Sequence, residues 1–203
     1  MTEIELKKIT ESLLDTFVKS GNLSLEIRKK GLITKTKSDN SPVTNGDLEV
    51  NKIICQKILS ITPNIPIVSE ENINIKNKIN YKNFWLVDPI DGTSDYINNK
   101  SQFTLNAALI LNLEPVIGVI YAPALKRLFY SYGIGKAFEE SNKIKINLNG
   151  KKKNKNKEII AVSNSSYPSD EILKIHKKYL VNKFVNMRSS YKFCVIASGE
   201  FDL

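Results

Sequence analysis

Apolar side chains recur through residues 3–19 at Leu6, Ile9, Leu13 and Phe17, and Leu14 and Val18 widen the stripe. Spacing of three and four predicts an amphipathic helix. Thr2 with Glu5 has the form of a capping box at its start, and Gly21 predicts its stop. A second helix is predicted over 47–60, with Val50, Ile53, Ile54 and Ile58 on one side and Pro63 beyond its end.

Beyond Pro63 the period changes. Residues 65–68 predict a short strand, and the apolar run 84–87 predicts another that breaks off at Asp88-Pro89. Runs at 103–111, 115–121 and 128–132 follow closely. The first two are separated by Asn112-Leu113-Glu114, too short for a crossover helix, so antiparallel neighbours are expected. Residues 141–157, with the run 151–157 at their centre, are Lys/Asn-rich and predict an exposed loop. A strand at 159–162, a helix at 169–180, a strand at 184–187 and a helix at 191–198 complete the pattern. Blocks of helix and antiparallel strand followed by alternating units give an α+β fold of layered sheets and helices. The basic loop is expected to divide the chain into two units, 1–140 and 141–203.

Composition narrows the chemistry. Lys and Arg number 30 against 21 Asp and Glu, a net charge of +9, which suits a polyanionic partner without choosing among nucleic acid, an anionic membrane face and a small phosphorylated molecule. The bias toward Lys, Asn and Ile is equally what an AT-rich genome produces. Run 151–157 has no interleaved aromatics to stack on bases, so a specific nucleic-acid role is not expected. Cys55 and Cys194 lie far apart in apolar stretches and read as buried thiols of a reducing compartment. The acidic start Met1-Thr2-Glu3-Ile4-Glu5 is unlike a signal peptide, and no apolar run approaches a membrane span, so a cytoplasmic protein is expected. Peripheral membrane contact and homodimer formation stay open. His176 is the single histidine, expected on a solvated helix face, so catalysis must rest on carboxylates, hydroxyls and metal.

Three segments supply such groups: Asp39-Asn40-Ser41-Pro42-Val43-Thr44-Asn45-Gly46-Asp47, then Ser69-Glu70-Glu71, then Trp85-Leu86-Val87-Asp88-Pro89-Ile90-Asp91-Gly92-Thr93. In the last, two carboxylates leave the end of an apolar strand, and Gly92 lets backbone approach a ligand whose negative charge the following amides can meet. Carboxylates and carbonyls suit a hard ion such as Mg²⁺. Each segment alone has an ordinary reading: an Asp-Pro/Asp-Gly turn, loop acids, a capping box.

Taken in order, the three resemble the signature of the inositol monophosphatase superfamily, above all in Asp88-Pro89-Ile90-Asp91-Gly92-Thr93. The resemblance continues through residues 103–110, 115–123 and 189–194 and is weakest over 133–157. Ser69-Glu70-Glu71, Tyr121-Ala122-Pro123 and Ser189-Ser190-Tyr191-Lys192-Phe193-Cys194 look most like the CysQ-type 3′(2′),5′-bisphosphate nucleotidases.

That resemblance implies an α/β/α/β/α sandwich of the sugar-phosphatase type and a Mg²⁺-dependent phosphate monoester hydrolase. It implies a first metal held by Glu70, Asp88 and the carbonyl of Ile90, and a second shared by Asp88 and Asp91. Glu70 and Thr93 would position water, with Asp47 bonded to Thr93. The amides of Gly92 and Thr93 would hold phosphate, and Ser189, Ser190 and Lys192 would line the substrate side with Asp91. The implied reaction converts 3′-phosphoadenosine 5′-phosphate to AMP. Inositol phosphate or fructose 1,6-bisphosphate hydrolysis is the alternative within the superfamily, and an inactive metal- or nucleotide-binding fragment the alternative outside catalysis. The family's third metal-binding Asp follows a Trp in a Trp-Asp-x-Ala-Ala segment, whereas this sequence stops at Leu203 and has Trp85 alone. A C-terminally truncated chain lacking the last strands and helix is therefore expected, with activity open to impairment.

Overall fold

The computed structural model describes residues 1–72, 81–148 and 158–203. Helix α1 spans Glu3–Lys30 and helix α2 spans Asn45–Ile61, with strands β1 (Thr34–Thr36) and β2 (Pro42–Thr44) paired antiparallel between them. Strands β3 (Ile67–Ser69), β4 (Phe84–Asp91), β5 (Thr104–Leu111), β6 (Glu114–Ala122), β7 (Arg127–Ser131), β8 (Ala137–Ser141) and β9 (Ile144–Asn147) form one sheet in chain order. The β3–β4 pair is parallel and the remaining pairs are antiparallel, as the short connections dictate. Helix α3, Thr93–Ile97, sits between β4 and β5.

Strand alternation divides the sheet into two faces. Val119, Tyr121, Leu128 and Tyr130 join Leu13, Phe17, Val50 and Ile54 in the main core beneath α1 and α2. Their neighbours Ala122 and Phe129 face the other way, against Met187, Tyr191, Cys194 and Val195. Strands β10 (Ile159–Ser163) and β11 (Val181–Asn186) pair in parallel through helix α4 (Asp170–Lys178), and helix α5 (Tyr191–Ala197) carries this unit onto the sheet. The architecture is α+β and layered, as expected from the pattern of elements.

Five expectations need correction. Helix α1 runs through Gly21 to Lys30 and stops at Gly31, whose φ of 113° closes it. Gly21 answers a close approach instead: a Cβ there would lie 2.4 Å from Cε1 of Tyr121. Strand β4 continues past Asp88 to Asp91, carried by a register irregularity rather than ended by Pro89. The expected loop at 141–157 holds strand β9, whose residues are all exposed and so lack the alternation that marks a half-buried strand, while the run 151–157 lies outside the described residues. His176 is half-buried, its ring 5.5 Å from that of Phe184, because α4 turns this face to β11. Of the two thiols Cys194 is buried and Cys55 only half so. Among the described residues, no helix is long and apolar enough to cross a membrane.

Candidate active site

Helix α2 starts where the first acidic group is needed. The Thr44 hydroxyl accepts from the Gly46 and Asp47 amides at 3.1 and 3.4 Å, and Asp47 Oδ2 accepts the Thr44 amide at 2.8 Å. The capping box thus holds Asp47 rigidly while it is only 1% exposed, and burial pushes its carboxyl upward. Its other oxygen, Oδ1, accepts from the Thr93 hydroxyl at 3.3 Å, and the same hydroxyl lies 3.0 Å from the Ile90 carbonyl.

Strand β4 brings the Asp pair together through a bulge. Asp88 faces Asn106 and Asp91 faces Thr104, so three steps along β4 match two along β5. In a regular strand residues three apart point to opposite faces; the extra residue removes that opposition. Pro89 donates nothing to the ladder, which suits this position. The carboxylates then repel: Asp88 is pushed up to about 8, first by burial, then by the negative charges of Asp91 and Glu70. Asp88 Oδ1 is buried without a hydrogen-bond partner among the described residues.

Glu70 and Glu71 enter from the turn Glu70–Asn72 after β3, and both meet a cation from the β1–β2 hairpin. Lys37 Nζ lies 2.9 Å from Oε1 of each. Burial acts against the Lys37 charge, but the bonds to Glu71 and Glu70 outweigh it and push the ammonium up to about 12. Sequence reasoning missed Lys37. Its partners lie 33 and 34 residues away, and nothing local distinguishes it among 30 basic residues.

At the other side Gly92 adopts φ 85°, and a Cβ there would come within 3.3 Å of Ser189. The Ser190 amide donates to Asp91 Oδ2, while its hydroxyl bonds Asn106 and Thr104. Ser189 is fully buried, its hydroxyl accepting the Tyr191 amide at 3.3 Å. Lys192 turns back on the carbonyls of Arg188 and Ser189, each at 3.2 Å. The structure therefore brings Asp47, Glu70, Asp88, Ile90, Asp91, Gly92, Thr93 and Ser190 together with Ser189 behind Gly92, and leaves the Lys192 ammonium engaged within its own segment.

The donor set fits a divalent cation. The charges of Asp91 and Glu70 both act on Asp88, one buried Asp88 oxygen has no hydrogen-bond partner among the described residues, and the Ile90 carbonyl lies 3.0 Å from Thr93 Oγ1. Among the described residues, no three His, Cys, Asp or Glu side chains close into a metal cage. Lys37 bonds Glu70 and the Ser190 amide bonds Asp91, so both acids are held in place. Mg²⁺ does not need such a cage, since it usually binds through one or two carboxylates and keeps several waters.

Residues 4–203 match the inositol monophosphatase family. Over 168 residues the chain is 33% identical to the 3′(2′),5′-bisphosphate nucleotidase CysQ of Salmonella typhimurium, covering 82% of this chain and 67% of that protein. The fold is similar to that of CysQ from Bacteroides thetaiotaomicron, at TM-score 0.66 and 26% identity over 95% of this chain and 77% of the other. It is also similar to an IMPase/NADP phosphatase complexed with Mg²⁺ and phosphate, at TM-score 0.75 and 20% identity over 97% and 73% of the two chains.

Proposed function

The chain belongs to the inositol monophosphatase family of metal-dependent phosphatases, and from that premise we propose that it removes the 3′-phosphate of 3′-phosphoadenosine 5′-phosphate with Mg²⁺ as its cofactor. The observation that carries the reading is the Asp88 carboxyl, buried beside Glu70 and Asp91 with one oxygen unbonded and held up to about 8. Among the described residues no hydrogen bond reaches that oxygen, and a divalent ion would give it a positive partner.

Glu70, Asp88, Asp91 and the Ile90 carbonyl would hold the metal. When bound, the ion neutralises carboxylate and phosphate charge and makes water a stronger nucleophile at neutral pH. The protein's own part is placement. Thr93 Oγ1, oriented by Asp47 Oδ1 and the Ile90 carbonyl, can accept a hydrogen bond from a water molecule and aim it at phosphorus. Thr44 keeps Asp47 in position by taking the opposite oxygen. The Gly92 and Thr93 amides, at the left-handed entry to α3, would meet the phosphate oxygens. Ser190 stands beside Asp91 on the substrate side. Lys192 would meet a second phosphate only by giving up the Arg188 and Ser189 carbonyls, and Ser189 would shape the wall behind Gly92.

The CysQ relatives set the proposed substrate. Phosphate release with and without Mg²⁺, on 3′-phosphoadenosine 5′-phosphate and inositol 1-phosphate in parallel, tests it. Expected is Mg²⁺-dependent release, faster on the nucleotide and lost in Asp88→Asn. Faster release from inositol 1-phosphate overturns the substrate, and release that survives Asp88→Asn overturns the site.

A further inference from the structure

We propose that Thr104, Asn106 and Ser190 form a clasp that orients Asp91, making them positioning residues and the docked helix α5 a working part of the metal site. The inference rests on the reading of Asp91 as a metal ligand given above.

Hydrogen-bonding capacity fixes the direction of the clasp. The Asn106 oxygen can only accept, so the Ser190 hydroxyl spends its one hydrogen there, at 2.9 Å. The Thr104 hydroxyl, 2.8 Å from Ser190 Oγ, must then be the donor in that pair. The chain runs from Thr104 to Ser190 to Asn106, and it fixes the residue whose amide grips Asp91 Oδ2. With Oδ2 held, the carboxylate cannot rotate about its last side-chain bond without losing a charge-assisted hydrogen bond. Thr104 is fully buried, so no exchange with water competes.

The topology gives the clasp its reach. Thr104 and Asn106 stand on β5, directly opposite the bulged end of β4 that carries Asp88 and Asp91. Ser190 arrives 99 residues after Asp91, at the head of α5, which Tyr191, Cys194 and Val195 seat against Ala122 and Phe129. Asp91 is therefore gripped from the head of α5, and that grip is braced from β5. Groups that hold a ligating carboxylate typically change metal affinity by about 10–100-fold when removed.

Mn²⁺ affinity, read from the electron paramagnetic resonance of free Mn²⁺ without substrate, tests this on the full chain. Asn106→Leu keeps the volume and removes the acceptor, and about 10–100-fold weaker binding is expected. Thr104→Val removes the donor, and weaker binding is again expected, with Thr104→Ser restoring affinity to within about twofold of the unmodified chain. Rescue by serine is a response that packing alone would not give, because serine lacks the methyl group that valine retains. Thermal melts without metal identify any variant that fails to fold; if Asn106→Leu does, the threonine pair decides. Unchanged affinity in folded variants, with the unmodified chain binding and Asp91→Asn weakened, overturns the clasp alone. No Mn²⁺ uptake by the unmodified chain overturns the metal site and the clasp with it.

Discussion

The Lys37 ammonium lies 2.9 Å from Oε1 of Glu71, a carboxylate whose side chain is only 4% exposed, and at the same distance from Glu70. One cation thereby pins the β1–β2 hairpin to the turn that follows β3. Burial raises the Glu71 carboxyl while Lys37 opposes that rise, so the pair is a compensated buried charge rather than a surface ornament.

Replacing Lys37 by methionine keeps the stem and removes the charge, leaving Glu71 without its cation. A loss of about 1–3 kcal/mol in folding free energy is expected, since the lysine is itself 20% exposed and water can partly replace it. Urea denaturation of the metal-free chain measures it. A midpoint unchanged from the unmodified chain would show that the pair contributes nothing net.

Gly21 sits mid-helix, where alanine normally gains about 1 kcal/mol. Here the added carbon would lie 2.4 and 2.6 Å from the Tyr121 ring and 2.9 Å from Pro123. Tyr121 is only 4% exposed and faces the core, so overpacking of about 1–3 kcal/mol should outweigh the propensity gain. Gly21→Ala is expected to lower the melting temperature by a few degrees, about 2–4 °C per kcal/mol for a chain of this size. A higher melting temperature would mean that the helix–sheet contact is loose.

The same glycine shows where sequence reading stops. A glycine after an amphipathic stripe looks identical whether it ends a helix or makes room for a ring arriving from a strand 100 residues later. Caps and strand runs were legible because their physics is local: Thr44 and Asp47 announce α2, and β5 and β6 follow from apolar runs joined by three residues. The motif at Asp88–Thr93 was legible through its resemblance to the inositol monophosphatase family, since its local physics alone also fits an ordinary turn. The bulge that turns Asp88 and Asp91 toward each other was not, because it exists only against β5. Strand β9 lacks a buried face and so lacks a pattern. Lys37, Thr104 and Asn106 act across gaps of 33 to 86 residues, with no local mark of their role.

Cys194 gives a prediction in pH. Burial pushes its thiol from 9.0 up to about 12, so it stays protonated at pH 8 and should resist iodoacetamide in the folded chain. The sign of its effect on stability follows. An acid raised on folding supports the native state fully below its unfolded value and loses that support as pH rises from about 9 toward 12, at up to about 1.4 kcal/mol per pH unit. Cys194→Ala, though less stable at pH 7 from lost packing, should show a shallower alkaline decline in melting temperature. Parallel declines would remove Cys194 as its source.

The strongest tie between the sheet and α5 is Arg127, and it fixes the last prediction. Its Nε and Nη2 reach Glu139 Oε1 at 2.8 and 2.7 Å, and Nη1 reaches Glu200 at 3.1 Å and the Tyr191 hydroxyl. The guanidinium also lies 4.9 and 5.5 Å from the ring centres of Phe129 and Tyr191. Burial works against its charge, but the hydrogen bonds it donates to Glu200 and Glu139 outweigh this and raise its pKa. Lysine could satisfy one acid at a time and cannot reproduce the planar fork, so Arg127→Lys should lose much of what Arg127→Met loses. For Arg127→Met the guanidinium beside a 5% exposed Glu139 disappears, at a cost of about 3–5 kcal/mol. Because Tyr191 and Glu200 flank α5 while α1 and α2 belong to the other face, amide exchange should accelerate in 191–200 well before it does in α2. Ser190 stands at the head of the loosened helix, so the grip on Asp91 should weaken too, and Mn²⁺ affinity should fall without any change to a proposed ligand. Uniform acceleration across both faces would instead make Arg127 a contributor to global stability with no special part in holding α5.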